Sequence, residues 1–447
     1  MTGDLQLDKL DLNEIEFLCG IQGRLHHHII TPQIFSLRRE IPEDFVVNEV
    51  LPDRTVLDSN SAFLLGPHEP GLFSHHILWK RGVDTQKAIG LVSRHLKIPA
   101  DWIGYAGLKD ARAITRQRVS IWSPNSQIYP SVDLGNISLF EGVKKRHNIN
   151  LGDLFGNNFS IILKKSGLVD FGDETRLPII EACGLAGFPN FFGVQRFSSA
   201  RPVSHIVGKF LLREDWKGAV MAYLAISSKN EPQEVQEIRK ELSESEDFKK
   251  FLINMPKNYF LEREIAKIVT FSRNFQRAIF SINDGTLKLF VSAYQSFVYN
   301  WLLSKYLIRK QKDPTENIHD LPLIGWKMSL EEFQSWVGEE IRIILKRDGI
   351  SLESFNQRQT PIRVQGRKRL AIEYPENMSV RATDSGSLLK FVLPRGTYAT
   401  SLIREITASC TIQFQGLQSI SDYSEYLNLA ERILEFPVGI SSSSENV

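Results

Sequence analysis

Near residue 200 the apolar periodicity of this chain changes, and that change limits what the chain can fold into. Before it, short segments alternate between the period of two of a strand and the 3.6 of a helix. Phe45 to Val50, Leu72 to Lys80, Ile114 to Trp122 and Phe159 to Leu163 read as strands. Thr85 to about His95 reads as a helix capped by Thr85, with Ala88, Ile89, Val92 and Leu96 on one face. After residue 200, Ser204 to Leu212 and Trp216 to Ile226 read as helices. The strongest helix runs from about Thr286 to Leu307, where Leu287, Phe290, Val291, Tyr294, Phe297, Val298 and Trp301 form a core stripe. Glu231 to Lys250 is dense in mixed charge and reads as an exposed helix or linker. Leu388 to Leu393 then returns to strand, Pro394 and Gly396 make a turn, and Tyr398 to Ile406 reads as a helix. The order suits an α+β fold built on a sheet, with a largely helical stretch in its middle.

The most informative local stretch runs from Gly104 to Gln117 and places Asp110 in a turn rich in cations. Gly107 frees the backbone just before it, and Lys109, Arg112 and Arg116 crowd around it, with Arg118 following. If the strand starts early enough, Arg112, Arg116 and Arg118 point the same way. A basic face beside one carboxylate suits a phosphate-rich polymer with a reactive group in reach. A surface ion-pair cluster fits the same residues, and both readings stay open.

Composition narrows the classes. With 42% hydrophobic and 24% charged residues, the 447-residue chain is of ordinary globular make-up, long enough for two or three domains. No apolar run reaches bilayer length and the N-terminus shows no signal-peptide pattern. Cys19, Cys183 and Cys410 lack metal-ligand spacing, which points to a reducing, cytosolic setting. A net charge of +2 means that a nucleic-acid surface must be local. Local clusters exist at Arg38-Arg39, Lys109 to Arg118, Lys144-Lys145-Arg146, Lys164-Lys165, and Arg363 with Arg367-Lys368-Arg369. His26-His27-His28 and His75-His76 invite a metal reading, but neighbouring strand residues diverge and no Cys or carboxylate completes a site, so no metal is expected.

The Asp110 stretch closely resembles the AGLKD-x-RA-x-T-x-Q segment of the TruD family of tRNA pseudouridine synthases. Further segments agree in order: Ile41 to Glu49 with PEDF-x-V-x-E, and His147 to Phe159 with H-x-x-N-x-L-x-x-G-x-x-x-GN-x-F. Asn190 to Phe197 follows as NFFG-x-QRF, then Ala293 to Phe297 and Leu393 to Glu405. The resemblance spans about residues 36 to 410, and the gross length is similar to that of archaeal members. Ser198 stands where the family has Gly, and His26 to His28 where relatives tend to have glycines.

The resemblance implies a pseudouridine synthase mixed-sheet catalytic domain interrupted by a helical insertion (the TRUD domain). The expected division is a lead-in at 1–34, a first catalytic segment at 35–200, the insertion at 201–360, a second catalytic segment at 361–415, and an extension at 416–447 with a disordered end. It implies isomerisation of a tRNA uridine, at position 13 in the D-arm, with Asp110 as the catalytic nucleophile acting on a flipped-out base. Arg39 maps to a basic residue assigned to pairing with that carboxylate, although a phosphate or surface contact fits it nearly as well. Phe159 maps to the stacking aromatic, though a core strand position fits it too. Asn157 is expected to orient the loop or base, and Lys109 to contact substrate. Glu43 and Asp44, facing opposite ways, are read as structural. The partner implied is tRNA, with no membrane and no cofactor, a cytoplasmic location, and an oligomeric state left open with a monomer expected. Two other readings compete: an RNA-binding or RNA-folding protein in which Asp110 is incidental, and a nucleoside hydrolase that releases free uracil.

Overall fold

The computed structural model describes residues 16–26, 35–36, 40–60, 62–165, 177–198, 201–358, 360, 362–383 and 386–407. Arg38, Arg39, His27, His28, Cys410 and the C-terminal extension lie outside the described residues. The chain divides into two compact units. One comprises His28–Phe188 and Glu373–Thr411, and the other is built on Pro189–Ile372.

The first unit is a mixed sheet. Its six longest strands are β1 (Phe45–Val50), β2 (Phe73–Arg81), β3 (Ile114–Trp122), β4 (Gly156–Lys165), β5 (Glu376–Thr383) and β6 (Gly386–Pro394). They lie in the order β5-β6-β4-β1-β3-β2, with β1 and β3 parallel and the other pairs antiparallel. Helix α1 (Thr85–Leu96) follows β2. Its N-cap is Asp84, which accepts from the Lys87 N–H, so Thr85 is the first residue inside the helix and not the cap expected of it.

Two apolar clusters cover one face of this sheet. Phe45, Val47, Phe159, Ile161, Leu163, Leu389 and Phe391 pack with Leu402, Ile403 and Ile406 of the helix Ala399–Thr407. Leu78, Val119 and Ile121 pack with Ala88, Ile89 and Val92 of α1. Each such buried side chain contributes about 1.5–3 kcal/mol. Between these clusters the same face carries Lys80, Thr115, Gln117 and Glu49, all buried, with Asn157 paired opposite Glu49. Polar side chains inside a sheet core are tolerated when they are partnered. The partners of Lys80, Gln117, Glu49 and Asn157 form the site described below, while the Thr115 hydroxyl has no hydrogen-bond partner among the described residues.

His75 and His76 are fixed in β2 by carbonyls. His75 Nε2 donates to the His147 carbonyl at 2.8 Å, and His76 Nδ1 donates to that of Phe140 at 2.8 Å. The Ser74 hydroxyl lies 2.6 Å from His76 Nε2. Burial is the main cause that pushes both down to about 4 from an ordinary 6.5. A depressed imidazole stabilises the fold above the unfolded value, and this is lost as pH falls through the folded value. Stability is therefore expected to drop between pH 6.5 and 4, by on the order of 3 kcal/mol per histidine. Urea midpoints measured across that range should show it, with a shallower slope in His76→Gln.

The second unit is helical. Its long helix Asp284–Lys312 is capped by Asn283 and buries the whole stripe from Leu287 to Trp301. Residues of the lead-in expected at 1–34 pack here. Asn300 Nδ2 donates to the Cys19 carbonyl at 3.0 Å, and the Gln22 N–H donates to Ser304 Oγ at 2.8 Å. The charge-dense segment is helical, the first of its two readings: it forms the helices Gln233–Ser245 and Phe248–Asn254, mostly exposed but with a buried side. Arg239 within it is 1% exposed, pairs with Glu231 at 3.0 Å and Glu262 at 3.4 Å, and donates to the Leu224 carbonyl at 2.8 Å.

Candidate active site

The loop Ala106 to Ala113 lies over the polar strip, and side chains of the strip hold its backbone. Lys80 Nζ donates to the Asp110 carbonyl at 2.6 Å and to that of Lys109 at 3.3 Å. Gln117 Nε2 donates to the Gly107 carbonyl at 3.2 Å. The Lys109 N–H donates to Thr85 Oγ1 at 2.9 Å, which is the task Thr85 performs in place of capping. From the far side, the Gly152 N–H donates to the Ala106 carbonyl at 2.8 Å. Within the loop, the Arg112 N–H donates to Asp110 Oδ1 at 2.8 Å. The half-buried Asp110 carboxylate is thus held on a loop anchored at Ala106, Gly107, Lys109 and Asp110, and by a backbone donor of its own. Fixing a reactive group before substrate arrives is how a site avoids reorganisation during the reaction.

Lys109 turns inward. Its ammonium pairs with Glu49 at 3.0 Å and donates to Asn157 Oδ1 at 2.8 Å. Both partners of the ion pair are almost wholly buried, with side chains 4% and 0% exposed. Glu49 and Asn157 face each other across β1 and β4, so strand register places them. The Lys80 ammonium is brought down to about 8, chiefly by burial and further by Lys109, while Asp110 and Asp84 act to raise it.

Asp110, Lys109 and Asn157 are brought together here. Phe159 lies one row along the same face, 8% exposed, its ring stacked on Phe391 at 5.2 Å and edge-on to Phe45 at 6.1 Å. The basic face expected around Asp110 is arranged differently. Thr115 and Gln117 are the buried residues beneath the loop, so Arg116 and Arg118, out of phase with them, leave from the other face of β3. There Arg116 donates to Asn48 and Asn60, and Arg118 to the Asp153 carbonyl. Arg112 precedes the strand and is exposed. Asp44 receives the Glu40 N–H and pairs with Lys164 at 3.0 Å, while Glu43 pairs with Arg81 at 2.6 Å, so both act structurally. Lys80, Glu49, Thr85 and Gln117 were missed as site residues. Glu49 and Gln117 close two of the matched motifs, and that was the available signal.

The sequence profile of the family described as tRNA pseudouridine synthase D (TruD) matches residues 24–317 and 308–406. A protein of Methanocaldococcus jannaschii named "Probable tRNA pseudouridine synthase D 1" is 31% identical over 376 residues, which is 82% of this chain and 94% of that protein. A protein of Methanosarcina mazei named "Probable tRNA pseudouridine synthase D" is 28% identical over 448 residues, 89% of this chain and 98% of that protein. The crystal structure of a protein from Methanosarcina mazei titled "Putative tRNA pseudouridine synthase D (TruD)" superposes with a TM-score of 0.68 at 26% identity, covering 89% of this chain and 99% of that one.

Proposed function

We propose, from the premise that this chain belongs to the tRNA pseudouridine synthase D family, that it isomerises a uridine of tRNA to pseudouridine through Asp110. The enzyme is an isomerase: the C1′–N1 bond breaks, C1′ joins C5 of the same base, the C5 proton leaves and N1 gains one. Atoms and electrons balance without a further reactant. The observation that carries the residue assignment is the Asp110 loop, fixed by Lys80, Gln117 and Thr85 above a buried Lys109–Glu49 pair. Ion pairs alone would not need so many anchors on one carboxylate-bearing turn.

In this reading the target base leaves its stack to reach Asp110. The carboxylate attacks C1′ as nucleophile while the glycosidic bond breaks, and the ester bond so formed breaks when C5 of the turned base takes C1′. Lys109 and Asn157 shape the floor beneath the base, and Asn157 offers it hydrogen bonds. Phe159 is assigned to stacking on the base, with its ring also packed on Phe391 at 5.2 Å. Arg39 is assigned to pairing with Asp110. The uridine we infer is that at position 13 in the D-arm, carried over from the family, and the setting is the cytoplasm. Among the described residues no helix is long and apolar enough to cross a membrane.

The test is tritium release from a tRNA transcript labelled at uridine C5. Release without free uracil is the expected result. Free uracil that still carries the tritium, with none released to water, would make the chain a hydrolase. Binding without release from any tRNA would favour the RNA-folding reading.

A further inference from the structure

A second surface, in the helical unit, lies outside the chemistry described so far. Strands Asp320–Leu323 and Arg367–Leu370 form an antiparallel pair, Leu323 opposite Arg367. Beyond it the two backbones stay in contact: the Trp326 N–H donates to the Val364 carbonyl at 3.1 Å, and the Lys327 N–H to that of Gln365 at 3.1 Å. This approach requires glycine on both sides. A Cβ on Gly325 would lie 2.2 Å from the Gly366 nitrogen, and one on Gly366 would lie 2.5 Å from Met328 Cγ. Gly366 also holds φ +86°, where a side chain is strained. The loop is therefore rigid, and it displays an indole.

Trp326 is 36% exposed, with Lys327 Nζ 5.0 Å from its ring centre. Beside them, Arg363, Gln365 and Arg367 alternate with Ile362, Val364 and Gly366. The nearby acids are already engaged: Glu332 by Lys368 at 3.1 Å and Glu331 by Arg342 at 3.1 Å. Arg369 is likewise taken, lying 4.1 Å over the Phe192 ring. What remains is an indole with three cations, Lys327, Arg363 and Arg367. None of the three is in an ion pair among the described residues.

We propose that this strand pair is an RNA-docking platform on which Trp326 stacks an unpaired base while Lys327, Arg363 and Arg367 contact the flanking phosphates. An indole in a cationic setting is the chemistry that holds single-stranded nucleic acid without reading its sequence. An acidic peptide would use the cations but leave the rigid indole without a purpose. The proposal rests on the reading that this chain acts on RNA, and it adds a contact remote in sequence from Asp110.

The test measures binding of the full chain to a fluorescent, unstructured oligouridylate and to an RNA duplex of equal length, across a salt series. Trp326→Ala is expected to raise the Kd for the single strand about tenfold, the scale of one lost base stack, and Trp326→Phe to restore most of it. Arg363→Gln with Arg367→Gln should reduce the slope of log Kd against log salt by about 1.4, two phosphate contacts of about 0.7 each. Unchanged affinity in Trp326→Ala, at an unchanged urea midpoint, overturns the proposal. So does an equal loss on the duplex, or binding of polyglutamate as tight as that of the oligouridylate. If tritium release fails on every tRNA while these variants still change RNA binding, the platform stands and the isomerase reading falls. The opposite pattern removes only the platform.

Discussion

Asp110→Asn abolishes tritium release and leaves both fold and RNA affinity unchanged: this is the largest expected effect in the molecule. The asparagine Oδ1 can still accept the Arg112 N–H that now reaches Asp110 Oδ1 at 2.8 Å. The remaining anchors on Gly107, Lys109 and Asp110 are to the backbone and keep their donors and acceptors in the variant. The loop therefore keeps its place while the carboxylate's charge and nucleophilicity disappear. Loss of a nucleophile from a preorganised site costs at least about four orders of magnitude in turnover. Asp110→Ala should be equally inactive, and lower in stability by about 1 kcal/mol because the Arg112 amide loses its acceptor. Single-turnover tritium release, filter binding of the same tRNA and urea midpoints separate the three quantities. Asparagine turnover within about tenfold of wild type would exclude Asp110 from the chemistry, since no uncharged amide substitutes for a nucleophilic carboxylate. An unchanged rate of release with weakened tRNA binding would make Asp110 a docking residue.

The elements that position this site were legible where burial and chain periodicity coincide. Phe45–Val50 and Ile114–Trp122 read as strands in the sequence and are strands with those same bounds. The stripe from Leu287 to Trp301 likewise fixed the long helix, which runs further at both ends because Asn283 caps it and polar residues extend it beyond Leu307. What pattern alone misses is a core that is polar inside. In Ile114–Trp122 the residues turned inward under the loop are Thr115 and Gln117, so apolar content gives the strand but not its phase, and the arginines were placed on the wrong face. Asp84 and Thr85 are both good N-caps and stand side by side; a contact with Lys109, 24 residues away, decides between them. Arg239 looked solvated because its neighbours are charged, yet its partner Glu262 is 23 residues distant. Lys80 and Glu49 went unassigned for the same reason: a buried ion acquires meaning only from groups that the fold brings to it.

Whether the buried Lys109–Glu49 pair serves the fold or the site can be decided by breaking it in two ways. Lys109→Met removes the cation and leaves the Glu49 carboxylate, 0% exposed, facing the methionine thioether. Removal of one partner from such a pair costs about 3–5 kcal/mol, because the other charge stays desolvated. The Arg118 N–H, 3.3 Å from Glu49 Oε1, is too weak a contact to replace it. Lys109→Met should therefore unfold at a much lower urea concentration than wild type. Lys109→Met with Glu49→Leu removes both charges, and replacing a buried pair by apolar groups of similar volume is often neutral for stability. The double variant is thus expected to recover most of the lost urea midpoint. Turnover should not recover with it, because Asn157 Oδ1 loses its donor and the floor beneath the Asp110 loop loses its fixed charge pair. Recovery of stability without turnover assigns the pair to the active site, retained for the position it imposes at some expense to the fold. Recovery of both would make it a replaceable piece of the core. In that case the preorganisation of Asp110 would rest on Lys80, Gln117 and Thr85, which hold the loop through its backbone.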